Sequence, residues 1–333
     1  MTMKSLVLLL FAAAASATAF AQTPIVIKFS HVVANETPKG KAALRFQELA
    51  EKETNGRVKV EVYPNSTLYK DREEMEALQL GAVQMLAPSL AKFGPLGVKE
   101  FEVFDLPYIF PTKEVLYRVT EGPIGKNLLS KLSSKGITGL AYWDNGFKVM
   151  SANRPLKKPE DFKGLKMRIQ SSKVLDTQMR ALGANPQVMA FSEVYQALET
   201  GVVDGTENPP SNLYTQRMHE VQKHVTNSNH GYLGYAVIVN KKFWEGLPGD
   251  IRNGLEKAMK ESTKYANAIA QQENEDAMEA VKASGKTTVY DLSDKEKAEW
   301  RKALLQVHKE MEERIGKDLI KAVNKEAAGL GIK

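Results

Sequence analysis

The beginning of the chain alternates strand-like and helix-like patterns, and this alternation limits the folds that it can adopt. Apolar and polar residues alternate over 25–29 and again over 58–62, which is the period of a β-strand. Between these segments lies a stretch with a helical pattern, in which Leu44, Phe46, Leu49 and Ala50 are expected to point inward. A strand, a helix and a second strand in this order predict two parallel strands covered by the helix, and therefore an α/β fold.

The rest of the chain continues this alternation without a visible boundary. Further helices are predicted over 71–81, 114–134, 172–182, 192–200 and 249–283, and a capping box at 293–296 opens the last ones. No linker rich in serine, glycine or proline divides the sequence, although the chain is long enough for two lobes rather than one core. If there are two lobes, the chain crosses between them more than once.

The first 21 residues have the pattern of a secretory signal. Lys4 supplies a positive charge, residues 6–15 are apolar, and Ala19-Phe20-Ala21 matches a small-residue cleavage site. This apolar run is too short to span a membrane, and no later segment approaches the roughly 18 apolar residues that a span requires. We therefore expect a mature protein that begins near Gln22, lies in the periplasm and is not embedded in the membrane.

Composition and motifs argue against several classes of function. The chain has no cysteine, which excludes disulfides, thiolate metal sites and cysteine nucleophiles. Its formal net charge of +6 is spread over helices that intersperse lysine with glutamate, whereas nucleic-acid binding usually needs a concentrated basic stripe. The five histidines lack a metal-binding spacing, and no nucleotide-binding or serine-hydrolase motif is present. We expect no metal, no cofactor, no nucleic-acid partner and no enzymatic activity.

Two residues in the segment 164–210 suit the binding of an organic acid. Arg168 lies on the face of a short predicted strand opposite Met167 and Ile169. Asn208 follows an acidic turn and precedes two prolines, where neither a helix nor a central strand can continue. A guanidinium binds a carboxylate through two parallel hydrogen bonds, and a nearby amide can complete the set. This pattern predicts a pocket for a small organic acid.

Motifs in a fixed order along the chain resemble those of the solute-binding proteins of tripartite ATP-independent periplasmic (TRAP) transporters. The resemblance covers nearly all of the predicted mature chain, and within the family it points to the branch that binds four-carbon dicarboxylates. It is carried by the segments 27–30 (IKFS), 31–33 (HVV), 62–66 (VYPNS), 105–108 (DLPY), 145–148 (NGFK), 161–168 (DFKGLKMR), 190–195 (AFSEVY) and 203–209 (VDGTENP).

This resemblance implies two α/β lobes that close on a ligand like a clamshell, with one long helix running across both. The first lobe is expected to comprise 22–145 and about 234–272, and the second 146–233 and about 273–333. The helix predicted over 249–283 agrees with the long helix of the family.

The resemblance also implies the site residues. Arg168 is expected to bind the ligand carboxylate, with Asn208 supporting it and Phe191 packing beside it. Sialic-acid members carry a second arginine where this chain has Lys148, which argues against that ligand and makes Lys148 a candidate contact. Other pocket positions of those members fall on Lys70, Ser89 and Lys92.

The charges of these candidates favour a dianion. Several lysines around one arginine are costly to bring together without negative charge, which a dicarboxylate supplies and a monocarboxylate does not. The sequence and the resemblance together favour succinate, fumarate or malate. His31 is a further candidate, because it ends the first predicted strand and parallel sheets place ligand sites at the carboxyl ends of their strands.

Most of these residues also have an ordinary structural alternative. Arg168 could form an ion pair with Asp161 or Glu207, and Asn208 could simply cap the turn before the prolines. Phe191 and His31 could be plain core residues. Lys148 could be an exposed lysine on an alternating strand.

The predicted function is capture of a small organic acid and its delivery to a TRAP permease, which by resemblance consists of a small and a large membrane subunit. The alternatives are another carboxylate ligand, such as a monocarboxylate or a sugar acid, and a binding protein of an ATP-driven importer. A periplasmic enzyme acting on organic acids would need a general base of tuned pKa or a metal in the cleft, and the sequence indicates neither.

Overall fold

The strands of the protein form two separate β-sheets in a computed structural model that describes residues 23–331. The predicted leader at 1–21 lies outside the described residues. The strands are β1 (Ile25–Ser30), β2 (Val58–Tyr63), β3 (Met85–Leu86), β4 (Ile137–Phe147), β5 (Val149–Ala152), β6 (Lys166–Ile169), β7 (Asn185–Val188), β8 (Gly205–Asn208), β9 (His224–Asn227), β10 (Tyr232–Asn240) and β11 (Thr288–Asp291).

Helices cover and connect the two sheets. They are α1 (Pro38–Glu53), α2 (Asp71–Leu80), α3 (Lys113–Glu121), α4 (Pro123–Lys131), α5 (Lys173–Ala181), α6 (Val194–Glu199), α7 (Pro210–Thr215), α8 (Lys241–Glu245), α9 (Gly249–Ala283), α10 (Asp294–Glu310), α11 (Glu312–Ile315) and α12 (Lys317–Ala328). Among residues 23–331, no helix combines the length and the apolar character needed to cross a membrane.

The first sheet has the strand order β2-β1-β3-β10-β4. β1 is parallel to β2 and β3, and α1 packs on the β1–β2 pair, which confirms the predicted strand–helix–strand unit. β10 runs antiparallel between β3 and β4. One apolar cluster around Phe29 and Trp143 and another around Phe93 and Phe104 fill the space between this sheet and its helices. We call this sheet and its helices the first lobe.

The second sheet has the strand order β11-β9-β5-β8-β6-β7. β6 is parallel to β7 and β8, whereas β5 is antiparallel to β8 and β9. Phe162 and Trp300 are buried in one apolar cluster beside this sheet, and Val194 and Leu198 in another. This second lobe completes the two-lobed α/β fold that the sequence predicted.

The chain passes between the lobes more than once, as predicted. It runs from β4 directly into β5, from β9 into β10, and along α9 towards β11. With 35 residues, α9 is about 50 Å long at 1.5 Å per residue. Leu255 and Met259 in its first part are buried with the first lobe, and Met278 and Val281 near its end with the second. The helix therefore spans both lobes, within the predicted bounds.

The C-terminal helices contact both lobes. α10 packs on α5, and its Trp300 lies in the core of the second lobe. α12 instead packs on α3 and α4, and its Ile320 and Val323 belong to the cluster around Phe104 in the first lobe. The predicted division assigned 273–333 to the second lobe, whereas these contacts put α12 against helices of the first lobe. The predicted lobe limits otherwise remain a prediction.

Hydrogen bonds fasten the crossing strand β4 to the long helix. They join Trp143 Nε1 to Thr263 Oγ1 (3.0 Å), Asp144 N to Asn267 Oδ1 (2.9 Å) and Asn274 Nδ2 to Asn145 O (2.7 Å). Asn274 Oδ1 also accepts a hydrogen bond from Ser211 N of the second lobe (3.0 Å). Gly146 follows with φ +107°, and an added Cβ there would lie 2.7 Å from Asn274 Nδ2. This glycine allows the strand and helix to meet at the crossing.

We expect Gly146→Ala to destabilise the protein more than Gly136→Ala. Both glycines have positive φ, so each alanine meets backbone strain of roughly 1–2 kcal/mol, but nothing lies within 4 Å of a Cβ at Gly136. Displacing Asn274 should add about 1–3 kcal/mol at Gly146. Urea unfolding of both variants measures the difference. Equal losses of unfolding free energy in the two variants would show that the Asn274 side chain moves aside without an energetic cost.

Candidate functional site

A narrow cavity lies between the two lobes. Both lobes supply its walls, largely from the carboxyl ends of their strands, where α/β sheets place ligand sites. The first lobe contributes Val32, Val33, Lys39, Asp71, Ser89, Lys92, Leu233 and Tyr235, and the second contributes Arg168, Gln170, Phe191, Asn208 and Asn212.

Arg168 is held in one orientation on the second wall. Met167 and Ile169, its neighbours on β6, point into the core of the second lobe, so the arginine points to the other face. Its Nε and Nη2 atoms both donate to Met189 O, at 3.0 and 2.8 Å. Its guanidinium lies 5.7 Å from the centre of the Phe191 ring. These contacts leave Nη1 without a hydrogen-bond partner among residues 23–331.

The charge of Arg168 has no direct counter-ion in the described part of the chain. The residue is only 2% exposed, and no carboxylate oxygen lies within 4.0 Å of it. Asp161, one of its proposed partners, instead accepts hydrogen bonds from the amides of Lys157 and Lys158. Burial lowers the pKa of Arg168, an effect that the more distant Asp71 and Glu207 oppose. Among residues 23–331, Arg168 is thus a buried cation without an adjacent anion.

Glu207, the other proposed partner, belongs to a separate buried network behind the cavity. It accepts from Lys148 Nζ at 2.7 Å, while its second oxygen contacts His230 Nε2 at 2.8 Å and Gln178 Nε2 at 3.0 Å. Burial alone would raise the pKa of Glu207, but Lys148 and His230 hold it well below its usual range. Lys148 therefore pairs with Glu207 and does not line the cavity.

Lys92 and Asp71 form an ion pair on the first wall. Lys92 Nζ lies 2.6 Å from Asp71 Oδ1 and 3.0 Å from Glu74 Oε1. Burial disfavours the charged lysine, but the two carboxylates outweigh it and raise the pKa of Lys92. Ser89, which caps the short turn Leu90–Lys92, lies beside this pair. Lys92 and Ser89 thus line the cavity.

Lys39 was missing from the predicted site. It lies in the first turn of α1, after Thr37 has capped that helix, and it is completely buried. Gly40 permits this position, because a Cβ there would lie 2.3 Å from Ala34 O. Lys39 follows the carboxyl end of β1, and ligand sites in parallel sheets lie at such strand ends. The same rule predicted His31 instead.

His31 and Lys70 lie near the cavity without lining it. Neither ring nitrogen of His31 has a hydrogen-bond partner among residues 23–331, and burial together with nearby Lys39 lowers its pKa to about 3. The ring is therefore neutral at ordinary pH. Lys70 Nζ lies on the half-exposed rim, 2.7 Å from Glu193 Oε1. The remaining predicted residues, Asn208 and Phe191, line the cavity.

Direct contacts between the lobes close the cavity at its rim. Asp71 Oδ2 accepts a hydrogen bond from Phe191 N at 2.7 Å, and the Lys70–Glu193 pair lies beside it. Asp71 thus contacts Lys92 in its own lobe and the backbone of the other lobe. In this arrangement both walls face the same cavity.

The electrostatic balance of the cavity favours an anion. With all groups charged, the lining residues Arg168, Lys92 and Lys39 carry three positive charges and Asp71 one negative, a net charge of +2. Within residues 23–331, no group of three or more histidine or acidic side chains is arranged to hold a metal ion. The lining side chains offer hydrogen bonds and positive charge to an anion.

The chain is similar to known extracellular solute-binding proteins. Residues 29–314 match the family described as bacterial extracellular solute-binding protein, family 7. The chain is 73% identical over 300 residues, 90% of each chain, to the C4-dicarboxylate-binding periplasmic protein DctP of Rhodobacter capsulatus.

Two solved structures are also similar. One is a TRAP periplasmic solute-binding protein from Sulfurospirillum deleyianum with bound succinate (TM-score 0.88, 48% identity, covering 91% of this chain and 99% of that one). The other is a TRAP periplasmic solute-binding protein from Pseudomonas aeruginosa with bound L-malate (TM-score 0.84, 46% identity, covering 86% and 100%).

We expect Lys148→Met to lower the free energy of unfolding by about 3–5 kcal/mol, because it leaves the buried Glu207 without its main counter-ion. Lys70→Met is the matched control, since its pair with Glu193 is half exposed and should contribute little to stability. Chemical denaturation of both variants without ligand compares the two pairs. If the two losses were the same, the structural role of the Lys148–Glu207 pair would be refuted.

Proposed function

The chain belongs to family 7 of the bacterial extracellular solute-binding proteins, and we propose that it captures a four-carbon dicarboxylate and delivers it to a TRAP-type permease. The observation that carries the proposal is the buried Arg168, which has no carboxylate partner among residues 23–331 and faces a cavity between two lobes. Succinate, fumarate and malate are the ligands that we favour.

Arg168 and its neighbours suit one carboxylate of the ligand. The two hydrogen bonds to Met189 O fix the plane of the guanidinium and leave Nη1 to donate to the ligand. Asn208 at the end of β8 and Phe191 against the guanidinium line the same wall. A charge-assisted hydrogen bond to a guanidinium held in this way is stronger than one between neutral groups. This wall is the proposed anchor for the acid.

The rest of the charge supports a dianion rather than a monoanion. A net charge of +2 in the cavity is matched by two carboxylates, while a single carboxylate leaves one cation uncompensated in a buried space. The R. capsulatus relative is named as a C4-dicarboxylate-binding protein, and the two similar structures contain succinate and L-malate. These independent lines of support favour the same ligand class.

Closure on the ligand is the proposed basis of delivery. A ligand that contacts Arg168 on one lobe and the lysine-bearing wall on the other favours the closed state, because only differential affinity shifts such an equilibrium. Asp71 and the Lys70–Glu193 pair add contacts between the lobes in that state. We propose that the small and large membrane subunits of the permease recognise the closed protein in the periplasm.

We propose binding without turnover. Asp71 is the carboxylate among the lining residues, and its oxygens are occupied by Lys92 and by Phe191 N. It is therefore poorly placed to act as a general base, which must reach the proton that it removes. The ligand would leave the protein chemically unchanged.

We expect Arg168→Lys to weaken succinate binding at least about 100-fold, because lysine keeps the charge but loses the planar guanidinium whose orientation the hydrogen bonds to Met189 O fix. Isothermal titration calorimetry measures the affinity, and thermal unfolding checks that the variant folds. Arg180→Lys is the control, since Arg180 is exposed and pairs with Asp176 within α5. Unchanged affinity in Arg168→Lys would contradict the site, and a response only to sugar acids or monocarboxylates would contradict the ligand class.

A further inference from the structure

Most lysines near the cavity already have a carboxylate partner. Lys92 contacts Asp71 and Glu74 at 2.6 and 3.0 Å. Lys70 and Lys148 have Glu193 and Glu207, each at 2.7 Å. The positive charges of these three lysines are therefore largely neutralised by the protein itself, and they offer little to a second carboxylate.

Lys39 differs from these lysines because its partners are neutral. Its Nζ donates to Ala87 O at 3.0 Å and lies 3.8 Å from the centre of the Tyr235 ring. No carboxylate of residues 23–331 lies within 4.0 Å of it, although its side chain is completely buried. The free N–H groups of the first turn of α1 add positive potential around it. The ammonium of Lys39 therefore needs a counter-ion, and a carboxylate of the ligand can supply it.

We propose that Lys39 is the specificity-determining residue that makes the cavity select a dicarboxylate over a monocarboxylate. This inference rests on the proposed function, in which Arg168 holds the first carboxylate. Lys39 lines the opposite wall and is the counter-ion of the second carboxylate. A monoanion held by Arg168 leaves Lys39 uncompensated and gains nothing from it.

The surroundings of Lys39 also couple ligand binding to the uptake of a proton. Five groups face it: His31 after β1, Asp71 and Glu74 on α2, Lys92 in the turn Leu90–Lys92, and the ring of Tyr235 on β10. Burial lowers the pKa of Lys39 to about 7, with Glu74 opposing this change and Lys92 adding to it. In the empty cavity, Lys39 is therefore partly neutral at neutral pH. A carboxylate beside it raises this pKa, so dicarboxylate binding takes up a proton.

Lys39→Met tests the selection with succinate and butyrate, which share a four-carbon chain and differ by one carboxylate. We expect succinate affinity to fall at least about 100-fold, while butyrate affinity stays the same or rises, so the preference for the dianion collapses. The variant should fold, because an apolar side chain of similar length relieves the burial of a charge. Lys39→Gln is a second variant with the same expected direction.

Lys41→Met is the matched control. Lys41 lies two residues further along α1, and its ammonium pairs with Glu273 on α9 at 2.6 Å, away from the cavity. We expect its preference for succinate over butyrate to equal that of the wild type. If the wild type binds succinate and Lys39→Met keeps the preference, the role of Lys39 is refuted. If the wild type binds neither acid, the proposed function itself fails.

Proton uptake is a second readout, which a merely structural role of Lys39 would not produce. At about pH 8 the ligand is fully ionised, so calorimetry in buffers of different ionisation enthalpy should show most of one proton taken up by the wild type and none by Lys39→Met. Above pH 7, wild-type succinate affinity should fall up to about tenfold per pH unit, because the free protein must first gain that proton. Below pH 7 the dependence should fade, since Lys39 is already charged. Equal proton uptake by both proteins would overturn the coupling.

Discussion

A guanidinium buried between two lobes, with no carboxylate within 4.0 Å among residues 23–331, is the constraint around which this structure is arranged. Water stabilises an exposed arginine, and a salt bridge usually stabilises a buried one. Arg168 instead donates to the carbonyl of Met189 and lies against the ring of Phe191. The cavity therefore holds uncompensated positive charge, and the proposed role of the anionic ligand is to compensate it.

The fold makes this arrangement tolerable by excluding competing carboxylates. Glu207 lies on β8, next to Asn208 in sequence, yet successive strand residues point to opposite faces. On its own face, Glu207 is engaged by Lys148, His230 and Gln178. The buried network behind the sheet thus keeps a negative charge away from Arg168. The effect of this network on the site is indirect, because it keeps Glu207 from pairing with Arg168.

The sequence allowed the fold class, the long helix and part of the site to be predicted, and the limit has a clear physical origin. Strand and helix periods are local, so the unit formed by β1, α1 and β2 and the bounds of α9 follow from nearby residues. Whether a lysine is free or paired depends on residues far away in the chain. Lys148 meets a glutamate 59 positions later, and Lys39 contacts a carbonyl 48 positions later. Nothing in the sequence near either lysine distinguishes the two cases.

Asp71 shows why a binding protein keeps a carboxylate in a cavity that attracts anions. It reduces the net positive charge, which by itself weakens the attraction for a dicarboxylate. Its second oxygen, however, accepts a hydrogen bond from Phe191 N across the lobes, so part of the stabilisation of the closed state comes from the protein and not from the ligand. A protein that delivers its ligand must also release it. A wall of cations alone would oppose that release, whereas Asp71 moderates the charge and contributes to closure at the same position.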